Sequence, residues 1–223
     1  MKLVFACVAV LFLASAFAAK PSRQKSVSTA FDDIGFTKLV NVPAPVKLFR
    51  IRFGNTKVSL GNFIPPEDTI VDLEVIDCET QTEYVWTLMC FDPNYHGVNP
   101  KKNPECVTTM LFGLMVNMRN FCDLLSGDIL AKLVPHATRP GTGIHNFVFI
   151  VLRQNKIINT SSNYEDDRLG FSPSAFMKEH DLCPPEYGNF FQTAYPDFEE
   201  ACEEICEEQN EQQYNKYKSK RNY

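Results

Sequence analysis

One histidine stands out because of the residues around it. His145 lies in the stretch "RPGTGIHNFVFIVLRQ" (139–154), between a turn with glycines at 141 and 143 and an apolar run. Alone, such a histidine is more often a core or rim residue with satisfied hydrogen bonds than a ligand contact. Glycine, however, lets a backbone turn tightly and approach a ligand closely. We therefore predict that His145 faces a small cavity at the mouth of a strand and that its replacement by alanine costs little stability.

Other residues that could do chemistry are Asp92 and the cysteines. Asp92-Pro93 follows an apolar run, and alone such a pair is usually a turn. Cys90 and His145 could form a nucleophile and its base, but no third, orienting residue can be named. Cys202 and Cys206 are one helical turn apart beside glutamates, where a metal is imaginable, although secreted cysteines are more often disulfide partners. The sequence has no Walker loop, H-E-x-x-H or G-x-S-x-G motif. We expect no catalytic residue, no metal site and no cofactor.

The elements that must position these residues are mostly strands. Apolar and polar residues alternate in "KLFRIRFG", "NTKVSLGNF" and "TIVDLEVIDC", as in half-buried strands. The runs "TEYVWTLMCF", "CVTTMLFGLMVNM" and "NFVFIVLRQNK" are more continuously apolar and predict strands buried on both faces. Ser172-Pro173 opens a short helix, and the glutamate-rich residues 199–218 predict a C-terminal helix with a solvated face. The predicted fold class is mainly β.

The N-terminus indicates the compartment. Lys2 precedes an apolar run that ends in small residues at 16 and 18, the pattern of a secretory signal peptide. The alternative is a membrane anchor, but the run is short and no basic stop-transfer cluster follows it. Without residues 1–18 the chain has 21 basic and 27 acidic residues, a net charge of −6. This balance argues against nucleic acid or an anionic membrane as the main partner.

Cysteine number and one short motif fit a secreted protein. Seven cysteines remain after residue 18, so one is free or bridges two chains in a disulfide-linked dimer. Cys106 and Cys122 are predicted not to pair with each other, because residues 107–119 read as one extended strand of roughly 40 Å. Asn159-Thr160-Ser161 is an N-glycosylation acceptor in a polar stretch.

Several motifs recur in an order that resembles the phosphatidylethanolamine-binding protein (PEBP) family. The matching elements are G-T-G-x-H before an apolar strand, F-x-x-x-x-F-x-x-x-x-x-L before a proline pair, and G-N-F-F-Q, all between residues 141 and 192. More weakly, the resemblance covers residues 48–198. It implies a β-sandwich with helices at one end and a small anion-accepting cavity at the strand ends. The predicted organisation is a signal peptide (1–18), a polar lead-in (19–47), a PEBP-like domain (48–198) and an acidic tail (199–223).

The resemblance implies that the cavity of this chain has lost most of the polar groups that line it in the family. Asp92 and His145 keep the pocket chemistry of the family. Cys90 replaces a first aspartate, and Leu111 and Phe112 replace a histidine pair. Phe147 and Phe198 stand at or near tyrosine positions. The residues expected to line the pocket are Cys90, Asp92, Phe112, Gly143, His145, Phe147 and Phe198.

Because hydroxyl and imidazole donors have become phenylalanines, a neutral or apolar ligand is favoured over a phospho-headgroup. The chain is thus predicted to be a secreted binding protein, not an enzyme, for a lipid or small hydrophobic ligand. The alternative is an extracellular protein-interaction module, for example a protease inhibitor, without a small-molecule ligand. A hydrolase using Cys90 is the third and least favoured hypothesis.

Overall fold

The computed structural model describes residues 25–78, 83–99, 101–135, 138, 142–161 and 164–195. The predicted signal peptide, the C-terminal helix, Phe198, Cys202 and Cys206 lie outside the described residues.

The described residues form ten strands in two sheets. In chain order the strands are β1 (Lys47–Leu48), β2 (Ile51–Phe53), β3 (Thr56–Lys57), β4 (Asn62–Phe63), β5 (Leu73–Val75), β6 (Val85–Asp92), β7 (Met110–Met118), β8 (Asp128–Ala131), β9 (His145–Gln154) and β10 (Leu182–Thr193). The large sheet has the order β1-β10-β9-β6-β7-β8, with β4 also pairing with β10. The small sheet has the order β3-β2-β5.

The two sheets pack face to face and enclose one half of the core. This half contains Ile51 and Phe53 from the small sheet with Trp86, Phe149 and other apolar side chains of the large sheet. Successive side chains of a strand point to opposite faces, so the neighbouring residues of β6 and β9 contribute to a second core on the outer face. Burial on both faces explains why these strands are almost continuously apolar. The β-sandwich predicted from the sequence is confirmed.

Three helices contribute to the outer core. They are α1 (Val27–Asp33), α2 (Phe36–Val40) and α3 (Pro173–His180), and α3 begins as predicted, with Ser172 capping its first turn. The helices α1 and α2 were not predicted. The rings of Phe31 and Phe36 are completely buried in this core. The segment interpreted as a polar lead-in therefore includes part of the core. None of the described helices is long and apolar enough to cross a membrane.

Strand β10 was also not predicted, although it pairs with three other strands of the large sheet. It runs antiparallel to β9 and parallel to β1 and β4. Its Asn189 side chain is fully buried and explains the asparagine of the G-N-F-F-Q motif. The amide nitrogen donates to the carbonyls of Phe49 and Val58, at 2.8 and 3.0 Å, and the amide oxygen accepts from the N–H of Leu60 at 2.9 Å. Asn189 thereby ties residues 49–60 to the large sheet.

We expect Asn189→Ala to lower the free energy of unfolding by about 2–3 kcal/mol, because it leaves buried backbone groups without partners. Asn155→Ala is the matched control. The Asn155 amide donates to the Asp181 carbonyl in an exposed position, and its loss should cost no more than about 1 kcal/mol. Urea unfolding of both variants measures the difference. Equal effects would contradict the role given to Asn189.

The disulfide pattern confirms one sequence prediction. Cys78 is bonded to Cys122, with their Cα atoms 5.7 Å apart, so Cys122 does not pair with Cys106. Cys106 is itself in a disulfide. Cys90 and Cys183 are free thiols. The Cys78–Cys122 bond connects the segment that follows β5 to the loop after β7, and it therefore fixes one side of the sandwich.

Candidate functional site

Asp92 and His145 meet at one end of the large sheet. Asp92 is the last residue of β6 and His145 is the first residue of β9, and these strands are antiparallel neighbours with Phe91 opposite Val148. The Asp92 Oδ2 and His145 Nδ1 atoms are 2.5 Å apart. Sequence reasoning thus correctly placed the two side chains at a common strand end.

A threonine completes a chain of three polar groups. Thr142 lies three residues before His145, and its hydroxyl oxygen is 2.5 Å from His145 Nε2. With the proton on Nδ1, the imidazole donates to the Asp92 carboxylate and accepts a hydrogen bond from the Thr142 hydroxyl. The other carboxylate oxygen of Asp92 accepts from the N–H of Asn94 at 2.9 Å. The polar atoms of this site therefore bind one another.

This polar chain is enclosed. The side chains of His145 and Asp92 are 0% and 1% exposed to solvent, and Thr142 is buried as well. The prediction that His145 lines a cavity open to a ligand is therefore wrong for this structure. The physical reason is that Thr142 and Asp92 occupy both ring nitrogens while the neighbouring loops cover the ring. A carboxylate, an imidazole and a hydroxyl in this order can also position a nucleophile, but a buried hydroxyl offers a substrate no approach.

Two loops close over the site at Gly97. A Cβ atom placed on this glycine would lie 1.7 Å from the carbonyl oxygen of Thr142, and the Gly97 backbone has a left-handed φ of +64°. Only glycine permits both the conformation and the close approach. Residues 94–97 belong to the segment that connects β6 with β7. The Asp92-Pro93-Asn94 turn and the single glycine were the available signals of its role.

The aromatic residues predicted to line the pocket fill the core beside it. The ring centroids of Phe112 and Phe147 are 4.5 Å apart, and Phe147 stacks on Phe191 at 5.3 Å. All three are almost completely buried. Tyr95, which the sequence analysis did not select, has its ring 6.2 Å from that of His145. The described rings therefore pack where the resemblance implied a cavity wall.

Gly143 is exposed at the surface, with a left-handed φ of +75°. It precedes His145 by two residues without contributing a side chain to the enclosed chain of polar groups. A role of Gly143 in ligand binding stays a prediction, as does the role of Phe198, which lies outside the described residues.

Cys90 does not support the hydrolase hypothesis. Its side chain is buried in the core between the two sheets, opposite Gly113 and Phe149 on the neighbouring strands. Burial raises the pKa of the Cys90 thiol far above its usual range. Since the thiolate is the nucleophilic form, this thiol is unreactive at neutral pH.

The comparisons with known proteins agree with this architecture. No family model matches the chain. Among solved structures, a carboxypeptidase Y inhibitor in complex with its cognate proteinase superposes with a TM-score of 0.60 at 15% identity, over 77% of this chain and 97% of the inhibitor. A phosphatidylethanolamine-binding protein from Plasmodium vivax superposes with a TM-score of 0.56 at 15% identity, over 76% and 98% of the two chains.

The chain has the fold of the PEBP family. The resemblance read from the motifs between residues 141 and 192 is thereby confirmed in the fold. A sequence relative adds a second line of similarity. A 26 kDa secreted antigen of Toxocara canis is 24% identical over 169 residues, which cover 73% of this chain and 62% of the antigen. The PEBP-fold chain thus spans less than two thirds of that relative.

The closed site leads to a prediction for the headgroup after which the PEBP family is named. We expect phosphoethanolamine to bind weakly or not at all, because Phe112 and Phe147 provide no donor and the His145 nitrogens are already hydrogen-bonded. Titration calorimetry of the mature chain should show no saturable heat. Tight binding that is lost in His145→Gln would contradict the closed site.

Proposed function

We propose that this protein is a secreted binding protein of the PEBP fold that recognises another protein, in the first place a peptidase. The observation that carries the proposal is a group of exposed apolar side chains around the closed site. Ile144 is 62% exposed and adjoins His145, Phe63 is 56% exposed, and Tyr195 is 50% exposed. Because Phe63 lies opposite Gln192 and Thr193 lies opposite His145, all three belong to the same end of the large sheet.

Apolar side chains that surround a polar centre and face solvent are typical of protein interaction surfaces. A small-molecule pocket, by contrast, needs a concave site with free polar groups. The likeness to an inhibitor bound to its proteinase supports a peptidase as the first partner to test. Secretion is supported by the apolar N-terminal run, by the Cys78–Cys122 disulfide, and by a relative described as a secreted antigen.

Inhibition of carboxypeptidase Y by the mature chain tests this proposal. We expect the wild-type protein to inhibit and the double variant Ile144→Asp/Tyr195→Asp to lose about tenfold or more in affinity, since exposed apolar anchors dominate such interfaces. Ile157→Asp is the matched control, because Ile157 is equally exposed, at 61%, but follows the opposite end of β9. Inhibition that survives in the double variant would contradict this surface.

The competing function is the binding of a small hydrophobic or lipid ligand at the His145 end. One observation favours it. The Thr193 hydroxyl and the Asn94 side-chain oxygen are buried there without a hydrogen-bond partner among the described residues, and a bound polar group could provide one. Native mass spectrometry of the secreted protein distinguishes the two functions. A retained mass, together with no inhibition of carboxypeptidase Y, would overturn the proposal in favour of a carrier.

The Asn159 acceptor is compatible with a secreted glycoprotein. Asn159 is exposed in a turn where its side-chain oxygen accepts the N–H of Ser161. Glycosylation at this position would not disturb any of the described core. It stays a prediction, which loss of a glycosidase-sensitive mass in Asn159→Gln would support.

A further inference from the structure

A cavity lies toward the opposite end of the sandwich, away from the surface proposed for a protein partner. It has a volume of about 360 Å³ and lies between the segment after β1, the segment after β5, and Tyr187 of β10. Tyr187 and Thr193 are six residues apart on β10, so the cavity is roughly 20 Å along the strand from His145. A site here is independent of the proposed inhibitor function.

The floor of this cavity is aromatic. Phe49, Phe121 and Tyr187 line it. Phe121 lies between the other two rings, with centroids 6.2 Å from Phe49 and 4.9 Å from Tyr187. Trp86 lies behind them, 4.9 Å from Phe121. The Cys78–Cys122 disulfide holds Phe121 against the segment that contains Cys78, so this wall is fixed. A rigid aromatic floor suits a flat apolar body of similar width.

Three charged side chains line the cavity, and one of them, Lys47, is already paired. The Lys47 ammonium is 2.6 Å from Glu186, and Lys47 also lies over the Tyr187 ring. Arg50 and Asp77 line the same cavity, and in the part of the chain that the structure describes neither makes an ion pair. The Ile76 N–H donates to the Arg50 carbonyl. The backbone of Arg50 is therefore paired with the residue that precedes Asp77. Arg50 and Asp77 thus contribute one positive and one negative side chain to the lining of the same cavity.

We propose that this cavity binds a small zwitterion with an aromatic body, such as an aromatic amino acid. Its carboxylate would pair with Arg50, its ammonium with Asp77, and its ring would lie on Phe121 and Tyr187. The volume is near the lower limit of ligand pockets, which excludes large lipids. A ligand with only a negative charge could pair with Arg50 but would leave Asp77 unpaired near a like charge. A ligand with only a positive charge could pair with Asp77 but would leave Arg50 unpaired in the same way.

The test uses three matched probes: L-phenylalanine, L-phenylalaninamide and N-acetyl-L-phenylalanine. The second lacks the carboxylate and the third lacks the ammonium group. Trp86 is the single tryptophan of the chain and contacts the floor, so its fluorescence reports occupation. We expect L-phenylalanine to bind saturably at millimolar concentrations. Each of the other two probes should bind about fivefold more weakly, the upper range for an ion pair open to solvent.

The variants identify the groups. Arg50→Gln should bind L-phenylalanine and its amide equally, and Asp77→Asn should bind L-phenylalanine and its N-acetyl form equally. Arg52→Gln is the control, because Arg52 pairs with Glu74 and does not line the cavity. Absence of saturable binding, or an unchanged preference among the probes in Arg50→Gln and Asp77→Asn, would overturn the proposal.

Discussion

Replacing His145 by alanine is expected to lower the free energy of unfolding by about 3–5 kcal/mol, the usual cost of leaving a buried charged group without its partner. The substitution removes the group that binds the Asp92 carboxylate at 2.5 Å and leaves this carboxylate almost fully buried. The Thr142 hydroxyl loses its contact with the ring as well. Urea unfolding of the variant measures the loss.

A double-mutant cycle separates this pairing from a simple cavity effect. If Asp92 and His145 depend on each other, the variant with both residues replaced by alanine should be more stable than the sum of the single effects predicts, by at least about 2 kcal/mol. Strict additivity, or a loss below about 1 kcal/mol in His145→Ala, would restore the sequence-based view of a histidine at an open pocket.

Gly97→Ala is the second substitution with a large expected effect. We expect a loss of more than about 4 kcal/mol, or no folded protein, because the new Cβ would overlap the Thr142 carbonyl oxygen. The loop would have to move away, which would separate Thr142 from His145. Circular dichroism during thermal unfolding is sufficient to detect this loss.

Gly170→Ala provides the matched control. Gly170 also has a left-handed φ, +79°, but no heavy atom lies within 4 Å of the position of an added Cβ. Only the backbone strain should remain, about 1–2 kcal/mol. If the two variants were equally destabilised, the loop contact at Gly97 would not be the cause.

The sequence was informative where a strand is buried on both faces or where a helix has a local start signal. Strands β6, β7 and β9 are almost continuously apolar since both of their faces are buried, and they were predicted within a few residues of their ends. The helix α3 was predicted from Ser172 and Pro173, which act locally. The pair of Asp92 and His145 was found through the resemblance to a known family.

The sequence was misleading where tertiary packing outweighs local signals. Prolines at 184 and 185 argue against a strand, yet β10 accommodates them at register shifts near its start. The helices α1 and α2 have only seven and five residues, too few to establish a period, but Phe31 and Phe36 are buried completely. In both cases the structure depends on contacts with residues distant in the chain, which a local sequence pattern does not show.

The closed state of the site could not be derived from the local sequence signals at Asp92-Pro93-Asn94 and Gly97. Phenylalanines at 112 and 147 show that donors are absent, but not that the rings fill the space. Closure depends on the contact of Gly97 with Thr142, 45 residues away in the chain. Such a contact follows from how two loops meet, which only the folded structure defines.

The most direct test of the closed site is nitrogen–proton NMR of the histidine rings. The chain has four histidines, so the ring signal of His145 can be assigned with one variant that lacks this residue. We predict a His145 Nδ1 proton that is protected from exchange with solvent and does not shift when phosphoethanolamine is added in millimolar excess. A ring proton that exchanges rapidly, or that moves with the added headgroup, would contradict the closed site and return His145 to a ligand pocket.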